Sequence, residues 1–383
     1  MKKLLPLSLL VVAILALNGC GKKAAEPVAS PALVKIRFQT DWYPQPEHGG
    51  YYQALAKGYY RDEGLDVEIL PGGPNAQVMA SVAVGRADLG MTNGDDVIVA
   101  IARGVPIKMV GAEMQRDPQG ILFHTERPLK SLKDLQGRTL MAGAGSTWIE
   151  VMRKKFGIEF TLLPLVGDLA RFMNSEEFVQ QCFVTNEPYF ARQRGANVGA
   201  LLIANDSYEP YRVMFTGKDF LAKHPDLVAK FVRASVHGWV DYLAGDPAPA
   251  NRLLAEKRSD LTPEFMAYSI KAMNDYKLVS GEPAKGEFAG QITAARLQKQ
   301  IAILQELAEH WEVRHPEAAA RCAEAAPEGI VYGFVENLRR LGVEDAALHH
   351  EGFAFWKARF FNDPHVKHDT EVPGARAFAS ACY

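Results

Sequence analysis

The chain has 383 residues, of which 48% are hydrophobic and 23% are charged, and its formal net charge is −2. This is the composition of an ordinary soluble globular protein, and the length suffices for two lobes with separate cores. The near-neutral charge gives no electrostatic basis for nucleic-acid binding, so we expect no nucleic-acid partner.

The first residues read as an export signal. Lys2 and Lys3 precede an apolar run at residues 4–17, which is too short for a membrane span and fits a secretory signal peptide over residues 1–19. The run ends in Leu-Asn-Gly before Cys20, which resembles a bacterial lipobox and implies cleavage before Cys20 and acylation of its thiol. The alternative is an ordinary signal peptide with an incidental cysteine. Residues 20–33 read as a flexible tether, so we expect a lipid-anchored protein on the periplasmic side of the cell envelope.

Three further cysteines follow Cys20. Cys182 lies in an apolar run, which predicts a buried strand thiol. Cys322 and Cys382 could form a disulfide bond that pins the C-terminal tail.

Strands and helices alternate through the first third of the chain. Apolar and polar residues alternate at 34–38 and turn residues bound the later runs, which predicts strands at 34–38, 67–70, within 85–90 and at 106–110, and helices at 50–60, 76–84 and 95–102. This alternation is typical of a mostly parallel sheet wrapped by helices.

The alternation then restarts and returns. We expect strands at 120–124, 160–163, 181–184 and 198–203 with helices at 148–156 and 187–194, then a returning strand at 211–215 and a helix at 225–243. A chain that leaves one α/β unit, completes a second and returns makes two connections, which can act as a hinge. The expected division is 34–119 with 217–284 as lobe 1, 120–216 as lobe 2, and 285–383 as a helical C-terminal extension. We expect its helices against the first lobe, with a lid over the cleft as the alternative.

Four motifs carry a resemblance to a known family. They are Asp-Trp-Tyr-Pro at 41–44 followed by His48, Lys-Gly-Tyr-Tyr at 57–60, Gly-Leu-Asp-Val at 64–67 and Ser-Leu-Lys-Asp-Leu at 131–135. Over about residues 34–281 the chain resembles the thiamine pyrimidine precursor-binding family of periplasmic proteins, whose fungal relatives are pyrimidine synthases. The resemblance implies the α/β fold of type II periplasmic binding proteins, with two lobes and a two-strand hinge.

Candidate binding residues follow the strands of the first lobe. Trp42 follows a strand end, where α/β proteins bind ligands, and the resemblance implies that it stacks on a flat heteroaromatic ring. A core tryptophan is the alternative, and the polar loop residues Asp41 and Tyr43 favour the site. Asp41 either accepts ligand amines or caps the next helix, and His48 either donates to the ligand or fixes the loop.

Further candidates follow the third strand and lie in the second lobe. Asn93 and Asp95 could read ligand edges, although Asp95 or Asp96 could instead cap the next helix. Ser146 and Thr147 end a glycine-rich turn whose free N–H groups favour an anion or a polar oxygen. Relatives carry turns similar to the one formed by Asn186, Glu187 and Tyr189, with the acid and the aromatic ring facing the cleft, so that Tyr189 would close on Trp42. The alternative is that Glu187 caps its helix and Tyr189 packs between the lobes.

The resemblance implies the substrate-binding lipoprotein of an ABC importer. Its expected partners are a permease, an ATPase, the membrane through the lipid, and a solute such as hydroxymethylpyrimidine or formylaminopyrimidine; related branches take riboflavin, sulfonates or nitrate. We expect a monomer without a cofactor. We also expect no metal, because the histidines at 349, 350, 365 and 368 lack the cysteine or acidic ligands that would complete a metal site.

The resemblance also raises an enzyme alternative. The fungal synthases carry a Lys and a His where this chain has Thr92 and Asp96, and a cysteine-rich iron motif where residues 209–214 contain no cysteine. We therefore expect no synthase activity. A scaffolding or sensing lipoprotein is the third possibility.

Overall fold

The computed structural model describes residues 32–74, 76–143, 146–165, 169–206, 208–314 and 341–347. The signal-peptide prediction, Cys20, the proposed Cys322–Cys382 pair and the histidines from 349 onward lie outside these residues. Among the described residues, no helix combines the length and the apolar character that a membrane span requires.

The first sheet contains five strands in the order β2, β1, β3, β10, β4, with bounds β1 Val34–Gln39, β2 Leu65–Leu70, β3 Leu89–Asn93, β4 Ile107–Met114 and β10 Arg212–Gly217. Strand β1 pairs in parallel with β2 and β3, whereas β10 is antiparallel to β3 and β4. The predicted strands are therefore confirmed, and the late strand β10 completes the first sheet.

The helices that follow the strands of this sheet are α1 Gly49–Lys57, α2 Tyr59–Asp62, α3 Val78–Ala83 and α4 Gly94–Ala102. The single helix predicted over 50–60 was wrong. Gly58 adopts φ +83°, a left-handed conformation that ends α1 and begins α2.

The second sheet has the order β7, β6, β8, β5, β9, with bounds β5 Gln119–His124, β6 Thr139–Ala142, β7 Thr161–Pro164, β8 Phe178–Phe183 and β9 Val198–Leu202. Strand β6 is parallel to β7 and β8, and β5 is antiparallel to β8 and β9. The associated helices are α5 Thr147–Phe156, α6 Ala170–Met173 and α7 Glu187–Gln193. Cys182 is buried in β8, as predicted.

Two connections join the sheets. The first runs from β4 to β5 through residues 115–118, and the second runs from β9 to β10 through residues 203–211. The strands on either side are neighbours within each sheet, because β4 pairs with β10 and β5 pairs with β9. We call the elements around the first sheet the first lobe and those around the second sheet the second lobe.

The remaining helices are α8 Lys218–Lys223, α9 Pro225–Ala244, α10 Ala248–Lys257, α11 Pro263–Asp275, α12 Ala294–Arg314 and α13 Val343–Ala346. Helix α9 crosses the start of α1 closely. A Cβ atom on Gly238 would lie 2.1 Å from the Gly50 carbonyl oxygen, and one on Gly50 would lie 2.2 Å from the Trp239 ring. The two glycines thus let α9 hold α1, and with it the loop after β1, against the first lobe.

The C-terminal extension differs from the expectation. Helix α12 packs apolar side chains into the first-lobe core, as predicted, but Ile303 and Leu307 also pack against the core of the second lobe. Its contacts therefore extend across both lobes.

Candidate functional site

The loop after β1 presents two aromatic rings to solvent. Trp42 is 40% exposed and Tyr43 is 47% exposed, and their ring centroids lie 5.6 Å apart in an edge-to-face arrangement. The backbone beneath them is fixed, because the amide of Gly72 donates to the Trp42 carbonyl at 3.0 Å. Gly72 packs so closely that a Cβ atom would lie 2.4 Å from the Thr40 carbonyl oxygen. The loop is therefore held in place while its rings stay accessible.

A buried arginine joins three strand ends behind this loop. Arg212, at the start of β10, is 3% exposed. It donates through Nη1 to Asn93 Oδ1 at 2.8 Å and through Nη2 to Asp41 Oδ2. Its guanidinium carbon also lies 5.6 Å from the ring centroid of Phe183, which ends β8 in the second lobe. Arg212 thus fixes Asp41 and Asn93, two predicted site residues, at one edge of the first sheet.

Asp41 carries a negative charge at neutral pH. Its Oδ1 lies 3.5 Å from Nε2 of His48, which is almost fully buried. Burial favours the neutral acid, but the combined effect of Arg212 and His48 is larger and lowers the pKa of Asp41 to about 2. Among the described residues, neither Asp41 Oδ1 nor His48 Nδ1 has a hydrogen-bond partner, so both atoms could meet a ligand or a water molecule.

Carboxylates outnumber cations around Arg212. The guanidinium acts electrostatically on Asp95, Asp96, Glu113 and Asp117 as well as on Asp41. Burial raises the pKa of Glu113 well above its usual range and, with Asp95, raises the pKa of Asp96 to about 7; burial also raises the pKa of Asp117 to about 6. The raised pKa values favour the neutral forms of these acids, so the ionised Asp41 is the group that favours a ligand with N–H donors or positive charge.

The Asp95 side chain is hydrogen-bonded to a residue of the second connection. Its Oδ2 accepts a hydrogen bond from the Tyr208 hydroxyl, and its Oδ1 accepts from the Asp96 amide at 3.0 Å. Asn93 occupies the N-cap position of α4 without a side-chain capping bond. The Asp95 carboxylate is therefore tied to the residues that link the lobes.

Two predicted site side chains of the second lobe, those of Ser146 and Glu187, form hydrogen bonds with backbone groups close to them in the sequence. Ser146 Oγ donates to the Gly143 carbonyl at 2.9 Å, and Thr147, the first residue of α5, is half-buried. Glu187 Oε2 accepts from the Phe183 amide at 2.7 Å, and Asn186 is the N-cap residue of α7 without a side-chain capping bond. Burial raises the pKa of Glu187.

Tyr189 packs beside helix α11. Its ring centroid lies 5.4 Å from those of Phe265 and Tyr268 and 5.3 Å from that of Phe190. This arrangement places the ring in the apolar contact between α7 and α11, which matches the packing alternative of the sequence analysis.

Sequence reasoning missed two residues of this region. One is Arg212, whose signal was a charged residue within an apolar strand. The other is Glu47, which is 2% exposed and accepts a hydrogen bond through Oε1 from Thr185 of the second lobe. Its Oε2 has no hydrogen-bond partner among the residues that the structure describes. Nothing in the local pattern links Glu47 to a residue so distant in the sequence.

Among the described residues, no group of three or more His, Cys, Asp or Glu side chains has the geometry to hold a metal ion.

Comparison with known proteins agrees with this geometry. The chain is 29% identical over 273 residues to the riboflavin-binding protein RibY of Chloroflexus aurantiacus, covering 64% of this chain and 76% of RibY. It is 23% identical over 300 residues to the formylaminopyrimidine-binding protein of Halalkalibacterium halodurans, covering 74% of this chain and 88% of the relative. A third relative, the 4-amino-5-hydroxymethyl-2-methylpyrimidine phosphate synthase THI11 of Saccharomyces cerevisiae, is 26% identical over 237 residues, covering 56% of this chain and 69% of the synthase.

Among solved structures, the periplasmic aliphatic sulphonate-binding protein SsuA of Escherichia coli superposes with a TM-score of 0.56 at 17% identity. The match covers 74% of this chain and 88% of SsuA. At this identity the likeness shows the fold, which is that of a type II periplasmic binding protein. The NMT1/THI5-like family model matches residues 45–250, more than half of the sequence. The chain belongs to the NMT1/THI5-like family.

Proposed function

We propose that this protein is the solute-binding component of an ABC importer and that it captures a small, flat heteroaromatic solute in the cleft between its lobes. The preferred solute is a thiamine pyrimidine precursor such as hydroxymethylpyrimidine or formylaminopyrimidine. The observation that carries the proposal is the combination of two exposed rings, Trp42 and Tyr43, with the ionised Asp41 beside them. An aminopyrimidine supplies a ring face to stack on and amine donors for a carboxylate.

The charge balance discriminates between solute classes. Sulfonates and nitrate are anions, and the ionised Asp41 would repel them, while the Arg212 guanidinium is already engaged by Asp41 and Asn93. The structural likeness to a sulphonate-binding protein extends only to the fold. An uncharged or cationic ring is therefore the better fit.

Riboflavin is the second candidate solute. The relative RibY is named as a riboflavin-binding protein and is 29% identical to this chain. A flavin is also flat and carries N–H donors, so the same rings and carboxylate could hold it.

The binding role is preferred over catalysis. The relatives include both binding proteins and synthases, so their names do not decide between the two roles. The chain carries Thr92 and Asp96 where the sequence comparison expects the synthase Lys and His. Loss of a histidine side chain on incubation with pyridoxal phosphate and iron, detected by mass spectrometry, would contradict this part of the proposal.

We propose that Asp41, Trp42, Tyr43, His48 and Asn93 contact the solute and that Asp95, Ser146, Thr147, Asn186, Glu187 and Tyr189 line or cover it. We further propose export, lipid attachment at Cys20 and delivery of the solute to a permease and its ATPase.

Titration calorimetry tests the solute class. The purified protein is titrated with hydroxymethylpyrimidine, formylaminopyrimidine, riboflavin, an alkanesulfonate and nitrate at pH 7. The proposal predicts heat of binding for a pyrimidine and none for the two anions. Binding of only the anions would contradict the proposal, and binding of riboflavin alone would select the second candidate.

A further inference from the structure

Helix α12 holds the backbone of both connections between the lobes. The guanidinium of Arg296 donates to the Glu209 carbonyl oxygen through Nε at 3.1 Å and through Nη2 at 2.8 Å. The same Nη2 donates to the carbonyl oxygen of Gln115. Gln115 belongs to the first connection and Glu209 to the second, so one side chain ties the two together.

Neighbouring residues reinforce this contact. Gln300 Nε2 donates to the Glu209 carbonyl at 2.7 Å, and Gln115 Nε2 donates to the Gln291 carbonyl at 2.8 Å. The Arg296 guanidinium carbon lies 4.0 Å from the ring centroid of Tyr211, a distance at which a cation is attracted to an aromatic ring. The only acidic side chain paired with Arg296 among the described residues is Glu287, at 3.2 Å.

The same helix is anchored in both lobes. Leu297, Ile301 and Leu304 are buried in the core of the first lobe. Ile303 and Leu307 pack against the core of the second lobe. Lys154 of α5 in the second lobe donates to the Glu306 carbonyl at 2.9 Å. A rotation of one lobe against the other must therefore disturb contacts along α12.

The second connection leads directly from Arg296 to the candidate site. Arg296 and Gln300 hold Glu209, and Tyr211 lies beneath the Arg296 guanidinium. The Tyr211 carbonyl accepts from the Gly94 amide at 2.7 Å. The next residue is Arg212, which holds Asp41 and Asn93.

We propose that Arg296 is a positioning residue for solute binding: by holding both connections, it sets the hinge and places Arg212 where it can orient Asp41 and Asn93. The effect on affinity rests on the proposed function, whereas the effect on the hinge does not. The C-terminal extension thereby acts as part of the hinge.

Hydrogen exchange of the full chain, measured by mass spectrometry without solute, tests the hinge. We expect Arg296→Met to speed exchange at the amides of residues 112–117 and 208–213, and Arg296→Lys to restore part of the protection. Lys299→Met is the matched control, because Lys299 is an exposed residue of the same helix. Exchange in Arg296→Met equal to that in the control would overturn the proposal.

Titration with 4-amino-5-hydroxymethyl-2-methylpyrimidine tests the link to the site. We expect Arg296→Met to weaken binding about tenfold, in the range found for residues that couple through packed elements. An unchanged affinity with faster exchange would overturn the positioning role. If the wild-type protein binds none of the tested solutes, the proposed function fails while the exchange result still tests the hinge.

Gln300→Leu provides a milder variant if Arg296→Met does not fold. It removes the bond from the Gln300 side chain to Glu209, so faster exchange is expected at the second connection and not at the first. Equal exchange at both connections in this variant and in Lys299→Met would overturn the proposal.

Discussion

The two lobes present different chemistry at the candidate site. On the first lobe, buried polar atoms of Asp41, Glu47 and His48 have no hydrogen-bond partner within the part of the chain that the structure describes, and the neighbouring Trp42 and Tyr43 rings are exposed. On the second lobe, Ser146 and Glu187 bond to nearby backbone groups, and Tyr189 packs against other rings. We infer that the first lobe supplies the hydrogen bonds and ring contacts that select the solute, and that the second lobe mainly covers it.

The difference follows from the cost of burying polar groups. A buried donor or acceptor without a partner costs about 1–3 kcal/mol, so such atoms are retained where a ligand or water can satisfy them. The second lobe carries no such cost at Ser146 Oγ or Glu187 Oε2, because the backbone already satisfies these atoms. Five substitutions, grouped in four predictions, test this difference between the lobes.

Arg212→Met should have the largest effect. It leaves Asp41 and its acidic neighbours without their buried cation, and breaking a buried pair in this way typically costs about 3–5 kcal/mol. We expect the free energy of unfolding in urea to fall by that order and solute binding to be lost. Arg212→Lys should retain part of the stability. A methionine variant as stable as the wild type would show that Arg212 does not organise the first-lobe edge.

Trp42→Ala should weaken binding with little loss of stability. Stacking on an aromatic side chain is worth about 1–3 kcal/mol per ring, and Trp42 is already 40% exposed. Calorimetry and thermal melting separate the two quantities. The matched control is Trp148→Ala, which removes a buried core ring of the second lobe and should lower the melting temperature. A comparable drop in melting temperature for Trp42→Ala would place Trp42 in the core.

Asp41→Asn and Glu187→Gln compare the two lobes directly. Hydrogen bonds to charged groups are worth about 1.5–3 kcal/mol, so Asp41→Asn should weaken the binding of an amine-bearing solute at least tenfold. Glu187→Gln should have a smaller effect, because the side chain of Glu187 already accepts from the Phe183 amide. The two dissociation constants decide the point, and a larger loss for Glu187→Gln would reverse the assignment of roles.

Asp96→Asn should change the pH dependence of stability. The pKa of Asp96 is raised from 3.8 to about 7, so between these values the folded protein binds more protons than the unfolded chain. The free energy of unfolding should therefore fall as the pH rises towards 7 and level off above it. At pH 8 the variant should exceed the wild type by up to about 4 kcal/mol, because each unit between the two pKa values is worth about 1.4 kcal/mol, with little difference at pH 4.

Urea denaturation at several pH values measures this effect. The exposed Asp66, substituted by Asn, serves as the control and should leave the profile unchanged. A stability difference between the variant and the wild type that stays constant from pH 4 to pH 8 would show that burial and Asp95 do not raise the pKa of Asp96.

Local patterns predicted the strands well. The alternation at residues 34–38 and the apolar run around Cys182 correspond to β1 and β8. The prediction of one helix over 50–60 was wrong at Gly58. The sequence does not distinguish a glycine that ends a helix from a glycine within a helix, because the difference lies in the backbone conformation. The exposed Trp42 was also suggested by its polar neighbours.

The remaining features depend on contacts between distant segments. Arg212 meets Asp41 and Asn93 only when three strand ends align, and Glu47 meets Thr185 only across the lobes. The position of Arg296 at both connections likewise requires the packed structure. Periodicity and residue spacing contain no information about such pairs, so the sequence could suggest the binding loop but not the network that supports it.

A crystal structure of the protein with a bound pyrimidine tests the central claim most directly. Our account predicts the ring in van der Waals contact with the Trp42 indole and an amine hydrogen-bonded to Asp41, with residues of the second lobe covering the opposite face. A solute held by Glu187 and Tyr189, with the Trp42 indole still facing solvent, would contradict it.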